Sequence, residues 1–205
     1  MLMRRPSQRG VSLIEIVIGM AIGSMLMAMG ASSFSGWIQN SRIRTAAESI
    51  RNGLQLARGA AVQRNISVRF QLTTSTGNDC AVSTALSNSG TNWVVSQENP
   101  AGQCANSDPN AAPHIVQVRG SGETSAKPRV WMDRACIAFT GTGQTLDCQN
   151  PAAARPSMSV DVRTADGFAA CAPGGAVRCL RITVSANGQI RMCDPALASP
   201  DPGAC

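Results

Sequence analysis

The side chains of this 205-residue chain best equipped for chemistry are eight cysteines and one histidine. The cysteines are Cys80, Cys104, Cys136, Cys148, Cys171, Cys179, Cys193 and Cys205. No C-x-x-C occurs among them, so zinc-ribbon and thioredoxin-like chemistry lack their spacing and no metal site is expected. Spacing alone leaves every connectivity open. Pairing of consecutive cysteines is attractive because each pair then encloses one loop or hairpin: Cys80–Cys104, Cys136–Cys148, Cys171–Cys179 and Cys193–Cys205. Such bridges contribute about 2–4 kcal/mol each and imply an oxidising compartment. His114 falls in a Pro-rich loop and reads as an exposed loop residue, not a base. No G-x-S-x-G accompanies the serines, and no Gly-rich phosphate loop follows a strand. The sequence therefore predicts neither an enzyme nor a cofactor.

A different kind of chemistry is suggested by Glu15. It is the one charge in Val11–Ala31, an apolar run of about 21 residues. At ~1.5 Å per residue, a helix of that length reaches about 30 Å and matches a bilayer. Arg4, Arg5 and Arg9 precede it without an acid, which keeps that end cytoplasmic and sends the remainder outside. A secretory signal would have a shorter apolar core and a break after it. An acid inside hydrocarbon costs roughly 2.5–3.5 kcal/mol, so it is normally kept for a partner.

Arg9-Gly10 followed by Val11-Ser12-Leu13-Ile14-Glu15 resembles the prepilin motif of type IV pilins and type II secretion pseudopilins. The resemblance implies cleavage at Gly10–Val11 by a prepilin peptidase and N-methylation of Val11. It makes Glu15 an assembly and register residue, pairing with the freed amino group of a neighbouring subunit. Val11 stands where the family usually has phenylalanine. Glycine before the cut lets the peptidase approach the backbone, since it has no Cβ.

Beyond the apolar run, Ile43, Ala47, Ile50, Leu54, Ala57 and Ala61 recur at steps of four and three, one face of a helix. No proline interrupts Val11–Asn99. One helix of about 55 residues is expected, lipid-facing in its first half and packed on a sheet in its second. Gly36 and Gly53 read as weak points of about 1 kcal/mol each. The stretch Leu54–Asn65, with its Ala57-Arg58 pair and its Arg64-Asn65, resembles the GspH/FimT group. Arg58 and Arg64 read as a solvated helix edge, and Asn65 suits the left-handed turn that ends a helix.

From Ile66 the period becomes two. Strands are predicted over 66–72, 92–96, 115–118, 129–132, 136–140, 158–163, 179–185 and 189–193, with Asn187-Gly188 as a hairpin turn. The glycine turn after Phe139 and the closing hairpin also resemble the GspH/FimT pattern.

The expected fold is α+β and type IV pilin-like: a long N-terminal helix, membrane-spanning in its first half, on a C-terminal antiparallel sheet domain with disulfides. The expected parts are a leader at 1–10, an assembly helix at 11–35 and a periplasmic head at 36–205. The resemblance implies a minor pilin or pseudopilin that primes or caps a type IV pilus or secretion pseudopilus. Its partners would be prepilin peptidase, other pilins or pseudopilins, and inner-membrane lipid before assembly.

DNA binding during uptake is the alternative. Some FimT-like pilins carry Gly-Arg-x-Arg near the closing hairpin, where this chain reads Gly188-Gln189-Ile190-Arg191 and lacks the first arginine. Arg178, Arg181 and Arg191 would contact phosphate. Against it, the net charge of +6 falls to a mild balance once the three leader arginines are removed, and aromatics are only 3%, which leaves little for base stacking.

Overall fold

Small and branched apolar side chains at helical spacing give the chain one element long enough to organise the rest. The computed structural model describes residues 11–86, 91–120, 122, 128–148, 150, 155–164, 175 and 177–205, the side chains at 28–34 and 85–86 excepted. Helix α1 runs over Leu13–Arg64, 52 residues. Ser12 opens it: its Oγ accepts from the Glu15 amide at 3.3 Å, the geometry of an N-cap. Asn65 closes it with φ of 52°. The Ile66 amide donates to the Ala61 carbonyl and the Asn65 amide to that of Val62. That pair of bonds is a Schellman ending.

The chain forms two compact units, Met1–Ile38 and Gln39–Cys205. In the first, the described apolar side chains are largely exposed, among them Leu13, Ile14, Val17 and Met20. Among the described residues, no helix is long and apolar enough to cross a membrane. The spanning segment over Val11–Ala31 thus stays a reading of the sequence.

The second unit is a head of two antiparallel sheets. The strands are β1 (Val68–Leu72), β2 (Ala85–Leu86), β3 (Trp93–Ser96), β4 (Ile115–Arg119), β5 (Arg129–Met132), β6 (Ile137–Phe139), β7 (Thr145–Leu146), β8 (Met158–Arg163), β9 (Leu180–Val184) and β10 (Ile190–Cys193). One sheet has the order β4-β3-β1-β6-β7 and the other β10-β9-β8-β5-β2. Ile43, Ala47, Ile50, Leu54, Ala57 and Ala61 are all buried, in one core with Phe70, Phe139, Met132, Val160 and Ile182. The helix stripe thereby covers residues from both sheets.

Gly53 corrects the expectation of a weak point. A Cβ there would stand 2.7 Å from Phe70 Cε2 and 3.0 Å from Trp93 Cε2. The missing side chain is what lets the helix backbone approach those rings. Trp93 reinforces the contact by donating from Nε1 to Ser49 Oγ at 3.0 Å.

The closing hairpin has a three-residue loop. The amide of Ser185 donates to the carbonyl of Gln189, and that of Gly188 to the carbonyl of Ser185. Of Asn187 and Gly188, only Gly188 has a positive φ, 75°. The loop is therefore a turn followed by a left-handed glycine, not the two-residue Asn-Gly turn.

Candidate assembly site and the surfaces of the head

Val11 is exposed and Gly10 lies outside the described residues. Ser12 and Glu15 together form an S-x-x-E sequence, a helix-start signal that the sequence reading passed over. Glu15 is exposed in the first turn of α1. The positive end of the helix favours a carboxylate at that place. This electrostatic benefit is local to the chain and requires no neighbour.

Disulfides join Cys80 to Cys104, Cys136 to Cys148 and Cys193 to Cys205. Cys179 is also disulfide-bonded, while Cys171 lies outside the described residues. The first bridge ties the β1–β2 connection to the β3–β4 connection, and the second brackets β6 and β7. The third fastens the tail to the end of β10. There the Asp194 amide donates to the Gly203 carbonyl at 2.8 Å, and Asp194 and Ala204 form a parallel bridge.

The three arginines proposed for phosphate have unequal surroundings. Arg181 grips Asp161 with two bonds, Nε to Oδ1 at 2.6 Å and Nη2 to Oδ2 at 3.0 Å. Asp161, 2% exposed, also accepts from Arg163 Nη2 at 2.8 Å. The hydrogen bonds that Arg181 donates to Asp161 raise its pKa above the ordinary value despite desolvation. Arg191 donates from Nη2 to the carbonyls of Pro202 and Ala204, clamping the tail. Arg178 is exposed, and its amide donates to Asn40 Oδ1 at 2.8 Å. The sequence did not single out Asp161. Its signal was an acid in a strand of alternating pattern, opposite Arg181 across the β8–β9 ladder.

Arg58 corrects the reading of a purely solvated edge. It is exposed, yet its Nε donates to the Gly143 carbonyl at 3.2 Å, joining α1 to the β6–β7 turn. Gly188 packs on that same carbonyl, and a Cβ on it would collide with the oxygen. Arg58, Gly143 and Gly188 thus hold helix, turn and hairpin at one point. Arg64 is exposed.

A groove of about 520 Å³ opens beside this junction. Gln55, Gly59, Val62 and Gln63 form its helix wall, and Gln189 and Ile190 the hairpin wall. His114, expected to be exposed, is half-buried with φ of 53°. Its Nδ1 lies 3.9 Å from Glu98 Oε1. Burial lowers the pKa of nearby Arg69, against the opposing charge of Glu98.

Two family models match the chain. One, described as Type II transport protein GspH, matches residues 46–188. The other, the prokaryotic N-terminal methylation motif, matches residues 5–31. Among solved structures, the chain is similar to the type IV minor pilin FimU of Pseudomonas aeruginosa. One crystal form gives a TM-score of 0.50 at 14% identity over 80% of this chain and 97% of that one. A second gives 0.47 at 15% identity, over 77% and 97%. At 14% identity the first of these shows a shared fold. No curated protein matches.

Proposed function

Since the chain belongs to the GspH family, with a structural role in type IV pili or type II secretion, we propose that it is a minor pilin or pseudopilin that primes or caps the filament. The observation that carries this reading is the methylation-motif match over residues 5–31, which takes in the start of a helix whose first-unit apolar residues are exposed. In this reading a prepilin peptidase removes residues 1–10, and Val11 becomes a methylated terminus. The greasy half of α1 rests in the inner membrane before assembly and then bundles with neighbouring pilins, the head staying periplasmic. Glu15 in the first helical turn neutralises the amino terminus of an adjoining subunit, which offsets the cost of its desolvation.

DNA uptake has less support. Arg181 and Arg191 spend guanidinium N–H groups on protein acceptors, which leaves Arg178 as the least committed of the three.

The test is made on the native chain. Mass spectrometry is expected to find a methylated Val11 terminus, and replacement of Gly10 to leave the precursor uncut. Glu15→Ala should be trimmed but excluded from fibres, and Glu15→Gln should behave likewise if charge, not capping, is the requirement. Normal trimming of a Gly10 variant, or mature material that retains Met1, would overturn the reading.

A further inference from the structure

Arginines gather at one end of the head. The second unit begins at Gln39 on α1, and the Arg178 amide donates to Asn40 Oδ1 at 2.8 Å. That bond tells which end of the second sheet lies beside the start of the unit's helix. Leu180 pairs with Val162, and Arg163 with Arg129. Arg178, Arg163 and Arg129 therefore stand at the same end of β9, β8 and β5, with Arg42 and Arg44 on the helix just beyond Asn40. The closing hairpin lies at the opposite end, where Gly188 meets Arg58.

Four of these arginines reach water. Arg129 and Arg178 are exposed, and among the described residues neither side chain makes a hydrogen bond or an ion pair. Arg42 is exposed, and Arg44 meets only exposed Glu48 one turn on, a pairing that contributes little. Arg163 is held by buried Asp161 and is not counted. Beside Arg129, Trp131 is 47% exposed on the outer face of β5, while Val130 and Met132 enter the core. A half-wet indole beside a guanidinium suits a surface that is part apolar and part anionic. The tail brings two acids to this end, Asp194 and Asp201, whose carboxylates accept the amides of Ala196 and Gly203 in their own turns.

The membrane of the proposed role lies close to this end along the chain. Asn40 is nine residues past Ala31, where the apolar run stops. As helix that is about 14 Å, of which the headgroup layer takes roughly 5–8 Å. The remainder is comparable to the Debye length of about 8 Å at physiological salt. From Ile16 to Ala47 the charged residues are Arg42 and Arg44, with no acid. Positive charge is normally scarce on the exported flank of a span, so its placement here calls for an anionic partner.

We infer that, before assembly, the arginine end of the head rests on anionic phospholipid at the periplasmic surface of the inner membrane. Arg42, Arg44, Arg129 and Arg178 meet headgroup phosphates, and Trp131 settles among the headgroups. Each arginine near such a surface shifts occupancy about fivefold, and salt screens the effect, so the contact is reversible when the subunit is extracted. It involves one copy of the chain, as a subunit used once at a filament end requires. Nucleic acid offers the same phosphates, but one tryptophan gives it a single platform for base stacking. The inference rests on the membrane-anchored role proposed above and names the lipid that the head meets.

The experiment uses the full chain in vesicles of phosphatidylglycerol with phosphatidylcholine, or of phosphatidylcholine alone. The photo-crosslinker benzoylphenylalanine stands in place of Trp131 or, as a control at the hairpin end, of Val62. Irradiation is expected to give a lipid adduct at position 131 in the mixed vesicles and little at 62. The yield at 131 should fall about tenfold in phosphatidylcholine alone or at high salt, and Arg129→Gln with Arg178→Gln should lower it by a similar factor. The salt and lipid arms need no arginine variant, so they decide the matter even if that variant misfolds. Equal adducts at both positions, a yield indifferent to lipid charge and salt, or transfer of the adduct to an added oligonucleotide overturns the inference. Alkaline carbonate extraction of the same vesicles reports insertion. Chains that wash off would sink the membrane anchoring itself, whereas inserted chains without the adduct would sink this contact alone.

Discussion

A methyl group on Gly53 would stand 2.7 Å from Cε2 of Phe70, so helix and sheet touch where the helix has no side chain. In an open helix, glycine to alanine gains about 1 kcal/mol, but overpacking a core costs ~1–3 kcal/mol. Gly53→Ala should therefore lower the unfolding free energy, by up to about 2 kcal/mol. Gly59, with nothing within 4 Å, is the internal control: Gly59→Ala should gain about 0.5–1 kcal/mol. Guanidinium titration of the full chain in detergent reads both signs.

Asp161 should be the least dispensable acid of the head. Its removal takes away the carboxylate that Arg181 and Arg163 both bond, and both arginines are partly buried. Asp161→Ala is expected to cost about 2–4 kcal/mol by the same titration, discounted from a fully buried pair because both arginines reach water. Arg191→Ala, which loses bonds to tail carbonyls at the surface, should cost about 1 kcal/mol.

Replacing Cys193 and Cys205 together by serine should lower stability by about 2–3 kcal/mol, the range for a bridge closing a short loop. The loss should be local. Hydrogen exchange should speed up at the Asp194 and Ala204 amides, whose bonds belong to the tail, and leave Ile182 in the core protected.

Arg58 and Gly188 should be coupled through Gly143. Arg58→Ala removes one hydrogen bond and should cost about 1 kcal/mol. Gly188→Ala adds strain at φ of 75° and a clash with the Gly143 carbonyl, for about 2–3 kcal/mol. The double variant should cost less than the sum, since both loosen the same turn.

The long elements were readable because burial imposes a period. The Ile43–Ala61 stripe, the strand at Arg129–Met132 and the strand at Met158–Arg163 match the structure residue for residue. Two-residue strands such as Ala85–Leu86 and Thr145–Leu146 carry too little pattern to stand out. The division into two sheets was also hidden, because pairing partners lie far apart in sequence. For the same reason Arg58 read as a solvated edge: its acceptor, Gly143, is 85 residues away. At the start of α1, Ser12 lies only three residues before Glu15 and was readable as a cap, but a lone acid in an apolar run pointed first to a neighbouring subunit.

The tail that Arg191 and the Cys193–Cys205 bridge hold against the end of β10 meets the second sheet at one of its two edge strands. A bare outer strand is a template for another chain's backbone, and natural sheets protect it by covering it. A chain truncated after Asp194 would keep every strand and lose that cover, and it should clump as strand-on-strand aggregates that bind amyloid dyes.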